Sequence, residues 1–323
     1  MNATRRPSET SLADEPRAPL MRRFLTYQAE RFPLPGLAPL ITLFTFASAA
    51  YSRLARGAAG FVELPVFAVG AYTALTIFFL LRVLDEHKDA AFDARYRPEL
   101  PVPRGLVTLT ELRRIAGIAV SLAIVLNLIV APILLLPLVI VAAWATLMTR
   151  EFFVPEWLRA HPAAYLLSHM AIMPLIDGYT TGLDWLVAAD HSPRGLLPFL
   201  LVTFANGVLI EVGRKLRAPE AEREGVDTYT RAWGVRAAPT VWLAALAASA
   251  WIAWRAAANT GTAREAGWVL LVMVIPCAWP ALRFLRRPSV SASRHADLAS
   301  QVWPAVTYLV LGVMPFVMAA RRS

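Results

Sequence analysis

Three aspartates stand at four-residue intervals in a charged segment of the chain. Asp85, Asp89 and Asp93 directly follow a long apolar run. On one continuous helix, this spacing places their side chains within about 80° of a single face over two turns. Carboxylates held so close repel one another unless cations lie between them. Mg²⁺ prefers oxygen ligands and commonly joins one or two carboxylates to the phosphates of a substrate. The segment therefore predicts a magnesium site for a phosphorylated substrate.

Basic residues are interleaved with these acids. Arg82, Lys88 and Arg97 lie in the same segment, where they could neutralise a diphosphate directly. The alternative is a solvated helix end, whose acids pair with its own bases three and four residues away. The acids share one face beside an apolar run, and a second charged segment exists farther along. Both features favour a binding site, because charges at the mouth of a membrane bundle are usually functional.

A second charged segment follows another apolar run. It contains Glu211, Arg214 and Lys215, and a loop that carries Glu222 begins after Pro219 ends the helix. Glu211 and Lys215, four residues apart, are typical of an ordinary helical ion pair. Arg214 and Lys215 are further candidates to bind a diphosphate.

The elements that must position these residues are membrane helices. The chain has 323 residues, of which 57% are hydrophobic and 17% charged, and its mean hydropathy is +0.50. This composition is too apolar for a soluble domain of that length. Apolar runs of about 18 to 22 residues recur along it, and this length crosses a bilayer core about 30 Å thick.

Nine such runs can be placed. They cover residues 36–54, 62–84, 111–130, 132–149, 163–187, 195–213, 237–257, 266–284 and 302–320. Helices fit these lengths, because a barrel strand shows about ten residues of strict alternation. We therefore predict an all-α integral membrane protein of about nine transmembrane helices. Residues 1–35 form a polar cytoplasmic tail, and residues 36–323 form the transmembrane domain.

Basic residues are distributed unevenly between the two sides of this predicted bundle. Most of the 32 Lys and Arg residues lie in the N-terminal tail and in the loops on its side. The positive-inside rule then places the N-terminus and both charged segments in the cytoplasm, and the C-terminus outside the inner or plasma membrane. The net charge of +9 is explained by this topology and by anionic lipid headgroups, so it gives no support to nucleic-acid binding.

Cysteine and histidine usage excludes several other kinds of site. Cys277 is the single cysteine, so the chain forms neither an intrachain disulfide nor a cysteine metal cage. The five histidines stand at positions 87, 161, 169, 191 and 295, without the paired spacing of a zinc protease. We predict no protein-built transition-metal site.

The first charged segment resembles the first aspartate-rich motif of the UbiA superfamily of intramembrane prenyltransferases, Asn-Asp-x-x-Asp-x-x-x-Asp. Asp85 and Glu86 stand at the Asn-Asp pair, while Asp89 and Asp93 match the two later aspartates. Downstream, residues 101–105 (PVPRG) resemble the family's Pro-Leu-Pro-x-Gly turn. Two departures are visible. The leading asparagine is replaced by an aspartate, and the stretch before the proline turn is shorter than usual.

The second charged segment resembles the family's second motif, Asp-x-x-x-Asp followed by Gly-Val/Ile-x-Thr and a later glycine. Residues 225–228 (GVDT) and Gly234 match that ending. The two aspartates have no clear counterpart, so Glu222 and Glu211 are the candidates for further metal ligands. The likeness covers nearly the whole chain, since the family also has nine helices, with acidic motifs after the second and the sixth.

The resemblance implies a helical bundle around a central cavity. It also implies Mg²⁺-dependent transfer of a prenyl group from a prenyl diphosphate to an acceptor that stays unidentified. Within the fifth predicted span, His169 and Asp177 lie two turns apart, where ionisable groups are costly and usually functional. We expect them to bind or deprotonate the acceptor. The expected partners are these two substrates and membrane lipids.

Two other functions fit the sequence. A terpene cyclase on the same scaffold would use the same metal site without an acceptor. A membrane transporter or lipid-binding protein is the non-catalytic alternative, and it would not need acids clustered at a loop.

Overall fold

The computed structural model describes residues 18–321 except Glu224, and these residues form helices and connecting loops without a strand. The first half of the structure contains α1 (Leu20–Arg31), α2 (Leu34–Ala55), α3 (Leu64–Lys88), α4 (Ala90–Tyr96), α5 (Leu109–Val130), α6 (Leu135–Thr149), α7 (Pro155–Ala160) and α8 (Pro162–Met170). The second half contains α9 (Ile172–Trp185), α10 (Leu196–Arg214), α11 (Tyr229–Trp233), α12 (Ala237–Ala257), α13 (Ala263–Arg286), α14 (Val290–Tyr308) and α15 (Met314–Ala320).

Eight helical stretches of the described chain are long and apolar enough to cross a membrane. They are Leu34–Ala55, Leu64–Lys88, Leu109–Val130, Pro132–Thr149, Leu196–Arg214, Ala237–Thr260, Ala263–Arg286 and Val290–Ala320. Each corresponds to one of the predicted spans. The fifth predicted span, residues 163–187, has no counterpart among them. The prediction of an all-α membrane bundle is confirmed.

The fifth predicted span is divided into two helices. α8 ends at Met170 and α9 begins at Ile172, so the expectation of one uninterrupted helix over residues 163–187 is wrong. Pro174 explains the interruption, because it has no N–H to donate to the Met170 carbonyl four residues earlier. The break at Ala171 lies two residues after His169, which therefore belongs to a different helix from Asp177.

Large apolar side chains cover the outside of the bundle. On α5, Ile118 and Ile129 are 71% and 73% exposed, and on α13 Trp268 is 64% exposed. A soluble protein rarely exposes a continuous apolar surface of this kind. We therefore assign this surface to contact with lipid, which makes the chain an integral membrane protein.

Polar contacts inside the bundle join the helices to one another. α10 is the most buried span and packs against α8, α9, α12 and α14. The Asn206 side chain on α10 donates to the Thr307 hydroxyl at 2.8 Å and accepts from the Ser249 hydroxyl at 3.1 Å. Such bonds fix the helix positions where apolar packing alone is unselective.

Part of the predicted N-terminal tail is folded against one end of the bundle. α1 buries Tyr27 completely. Arg23 pairs with Glu111 of α5 at 2.7 Å, and Arg31 pairs with Glu86 of α3 at 2.7 Å. Residues 20–31 therefore belong to the folded domain, while residues 1–17 of the predicted tail lie outside the described part of the chain.

The opposite end of the bundle has its own buried ion-pair cluster. The Asp184 carboxylate accepts hydrogen bonds from Arg56 at 2.8 and 2.9 Å, from Arg53 at 3.2 Å and from Ser52 at 2.8 Å. Because its oxygens are fully engaged, Asp184 stabilises the junction of α2 and α9. It lies far from the two charged segments, which meet at the other end.

Candidate active site

Two adjacent cavities open where the charged segments meet. The rim cavity has a volume of about 530 Å³ and is lined by Lys88, Asp89, Phe92, Glu151, Pro155, Leu158, Arg159, Pro162, Tyr165, Lys215, Asp227, Thr228, Tyr229, Arg231 and Ala232. The inner cavity has a volume of about 170 Å³ and is lined by Leu81, Leu84, Asp85, Lys88, Ala145, Met148, Thr149, Tyr165, His169, Met170, Ile172, Glu211 and Arg214. Lys88 and Tyr165 line both cavities, so the cavities adjoin at these two residues.

The first charged segment does not place its three aspartates on one continuous helical face. α3 ends at Lys88, Asp89 forms the junction, and α4 starts at Ala90. Asp85 lines the inner cavity and Asp89 the rim cavity, whereas Asp93 lines neither. Asp93 is buried and pairs with Arg97 at 3.5 Å. Burial raises the pKa of the Asp93 carboxyl above its ordinary value, and the Arg97 guanidinium partly offsets this effect.

Close packing brings the second charged segment against the first. Gly225 has a φ of +76°, and a Cβ atom on it would lie 2.9 Å from the Tyr96 ring that ends α4. Thr228 then caps the N-terminus of α11 by accepting from the Arg231 backbone N–H at 3.1 Å. This turn and cap place Asp227 and Tyr229 on the rim cavity, opposite the segment that carries Asp89.

Three carboxylates on the cavities have no partner in the part of the chain that the structure describes. Among the described residues, the side chains of Asp85, Asp89 and Asp227 make no hydrogen bond or ion pair. The guanidinium groups of Arg159 and Arg231 on the rim cavity are equally unpaired within the described chain. Unpaired charges of both signs around one cavity are available for a ligand that carries phosphate and metal.

Other acids of these segments are already engaged. Glu211 accepts from Arg214 at 2.5 Å and from Lys215 at 2.9 Å. One oxygen of Glu222 accepts from the Thr228 and Thr230 hydroxyls at 2.6 and 2.7 Å. Glu222 lines neither cavity, whereas Glu211 lines the inner one.

The basic residues singled out from the sequence divide into two groups. Lys88 lines both cavities, Lys215 lines the rim cavity and Arg214 lines the inner cavity. Arg82 pairs with Glu86 at 3.4 Å, and Arg97 pairs with Asp93. These last two arginines line neither cavity.

Asp177 and His169 do not come together at the site. Asp177 is fully buried, and its two oxygens accept from Ser48 and Tyr308, each at 2.8 Å. It lines neither cavity, and it connects α9 to α2 and α14. His169 lines the inner cavity, where its ring stacks on Tyr165 at a centroid distance of 3.9 Å.

The sequence did not single out several residues that line the rim cavity. Asp227 lies inside the GVDT sequence and Arg231 follows three residues later, so the second motif itself was the available signal. Glu151 lies in the turn after α6 and Arg159 in α7, neither of them in a recognisable motif, and only packing places them on the rim cavity. Tyr229 has a buried hydroxyl without a hydrogen-bond partner in the described chain, and burial raises its pKa well above the ordinary value.

Mg²⁺ fits this arrangement as a bridge to a ligand. In the part of the chain that the structure describes, no group of three or more His, Cys, Asp or Glu side chains is arranged to hold a metal alone. Mg²⁺ keeps several waters and is commonly bound by one or two carboxylates together with substrate phosphates. Asp89 and Asp227, which line one cavity and are unpaired within the described residues, are suited to that mode of binding.

Comparisons with known proteins agree with the predicted fold. No family model and no curated protein sequence matches the chain. The solved structure of a digeranylgeranylglyceryl phosphate synthase in membranes is similar, with a TM-score of 0.56 at 13% sequence identity. The alignment covers 92% of this chain and 99% of that one. That synthase is an intramembrane prenyltransferase of the UbiA superfamily, so the resemblance in fold that the motifs predicted is confirmed.

Proposed function

We propose that this protein is an Mg²⁺-dependent prenyltransferase that acts on a prenyl diphosphate at the membrane surface. The observation that carries the proposal is the rim cavity, where carboxylates and guanidinium groups that are unpaired within the described chain face one space beside the inner cavity. The similarity of the fold to an intramembrane prenyltransferase supports the same conclusion. A transporter or lipid-binding protein would not need this concentration of unpaired charge.

The two cavities bind different parts of the substrate. Arg159, Arg231 and Lys215 bind the diphosphate oxygens through charge-assisted hydrogen bonds. The inner cavity takes the first part of the isoprenoid chain, because Leu81 and Met148 supply apolar walls there. This places the carbon–oxygen bond that breaks near the junction of the cavities.

Asp89 and Asp227 would hold Mg²⁺ against the diphosphate, with Asp85 as a further ligand. When bound, the ion neutralises the negative charge that develops on the leaving diphosphate. The surrounding helices exclude water from the allylic carbon, so the prenyl group reaches an acceptor rather than solvent.

The test is diphosphate release by the purified protein in lipid nanodiscs, with geranyl, farnesyl or geranylgeranyl diphosphate and a membrane lipid extract. We expect release to require Mg²⁺, and Asp89→Asn and Asp227→Asn each to slow it about 100-fold, since both substitutions remove a metal ligand. Asp190→Asn is the control, because this residue lies at the opposite end of the bundle, beside Arg56.

Unchanged release in both site variants would contradict the metal assignment. Product analysis with the diphosphate alone separates the two enzyme classes. A cyclic product formed without any acceptor would identify a terpene cyclase instead of a transferase.

A further inference from the structure

His169 and Glu151 face each other where the two cavities adjoin. The His169 Nε2 atom lies 3.9 Å from the Glu151 Oε2 atom, which is too long for a hydrogen bond. Glu151 lines the rim cavity and His169 the inner cavity. The gap between these atoms therefore lies between the rim cavity and the inner cavity.

The contacts of the His169 ring indicate which of its two nitrogens carries the proton and which has the lone pair. His169 Nδ1 lies 2.9 Å from the Tyr165 carbonyl oxygen, which can only accept. Nδ1 therefore carries the proton, and Nε2 has the lone pair of the neutral ring. Stacking on Tyr165 and an edge contact with Phe152 hold the ring in this orientation.

Nε2 has no hydrogen-bond partner in the described chain, although the His169 side chain is only 8% exposed. A buried acceptor without a donor is costly. The nearby Glu151 carboxylate cannot satisfy it, because a carboxylate also accepts. The group that this gap lacks is a donor, and a hydroxyl group can donate its single proton to Nε2.

Glu151 is held at this gap by a constrained turn. Glu151, Phe152 and Phe153 have φ values of +49°, +51° and +61°, a conformation that residues other than glycine seldom adopt. An ion pair with Lys88 fixes the other oxygen of the Glu151 carboxylate. Strained backbone of this kind concentrates at functional sites.

We propose that His169 binds and deprotonates a hydroxyl group of the acceptor, with the Glu151 carboxylate beside it, which makes the acceptor an alcohol or a phenol. This inference rests on the proposed function. The carbon–oxygen bond of the prenyl diphosphate breaks, and its electron pair leaves with the diphosphate. The acceptor oxygen bonds to the allylic carbon, its proton moves to His169 Nε2, and the Glu151 carboxylate stabilises the resulting imidazolium. The products are a prenyl ether and diphosphate.

The first test uses the wild-type protein and needs no catalysis. Diethyl pyrocarbonate modifies unprotonated imidazole nitrogens, and mass spectrometry reports the rate for each histidine. We expect 4-propylphenol to slow modification of His169 about tenfold, because its hydroxyl occupies Nε2. The methyl ether 4-propylanisole lacks the donor, and it should leave the rate unchanged. His161, stacked on Trp157 outside both cavities, is the internal control. Equal protection by both compounds, or none by either, overturns the inference.

The second test measures transfer to 4-propylphenol. His169→Gln and Glu151→Gln should reduce kcat for prenyl ether formation at least tenfold while KM for the prenyl diphosphate stays unchanged. Glu156→Gln, in α7, and His161→Gln, directly after α7, should behave as wild type. Ether formation that survives in both site variants contradicts the base assignment. If the wild type releases no diphosphate with any acceptor, the proposed function fails, and the protection experiment still decides whether the gap binds a hydroxyl.

Discussion

At the scale of single residues, the acids of the charged segments differ in whether another described residue already engages them. Glu211, Glu222 and Asp93 are acids of the charged segments, yet ion pairs or hydroxyl groups already engage them. Asp89 and Asp227 have no partner among the described residues, and they face the same space. A free carboxylate binds a metal without first breaking an ion pair, so the free acids are the better candidates for ligands.

Substitution of the unpaired arginines tests the diphosphate site. Arg159→Gln and Arg231→Gln should each raise KM for the prenyl diphosphate about tenfold, because a charge-assisted hydrogen bond is lost. Steady-state kinetics with varied diphosphate would measure the change. The matched control is Arg113→Gln, an exposed arginine on α5 that lines neither cavity. An unaltered KM in both site variants would show that the diphosphate does not bind to these two arginines.

At the scale of elements, interruptions in the helices shape the interior. The break between α8 and α9 separates His169 from Asp177, and it leaves Asp177 as a buried connector of α2, α9 and α14. A π-helical segment, Leu309–Val313, follows α14 and packs against α2. Gly312 permits this contact, since a Cβ atom there would lie 2.3 Å from the Ala47 backbone.

Gly312→Ala should therefore destabilise the bundle by about 1–3 kcal/mol or more, because neither backbone can move aside easily. Cys277 is buried and is the single thiol, so its reaction with a thiol-reactive dye during heating reports unfolding. Gly117→Ala on α5 is the control, since nothing lies within 4 Å of its added Cβ. We expect that control to unfold at or above the wild-type temperature. Equal midpoints for Gly312→Ala and wild type would disprove the packing argument.

At the scale of the whole molecule, the charged segments and α1 lie at one end of the bundle, and the Arg53–Arg56–Asp184 cluster lies at the other. The distribution of basic residues along the sequence predicts that the first of these ends faces the cytoplasm. A cytoplasmic rim cavity would receive a water-soluble diphosphate head directly, while the prenyl chain enters the apolar interior.

Cysteine labelling tests this orientation. In a Cys277→Ala background, Ser192→Cys should react with a membrane-impermeant maleimide in intact cells, because residue 192 is exposed in the loop after α9. Glu99→Cys, exposed in the loop after α4, should react only after the membrane is permeabilised. The reverse pattern would invert the topology.

The sequence determined the membrane bundle, the positions of eight of the nine predicted spans and the end of the molecule where the charges collect. These features depend on the length of apolar runs and on spacing along one helix, which are local properties. The sequence also located Asp85, Asp89, Lys88, Lys215 and His169, which line the cavities.

Only the tertiary structure decided which charged groups remain free. Lys88 meets Glu151, and Asp89 shares a cavity with Asp227, although each pair is far apart along the chain. Whether an acid is paired or available depends on such distant partners, and no local spacing encodes them. The same reason places His169 beside Glu151, whereas its separation from Asp177 follows from the helix break before Pro174.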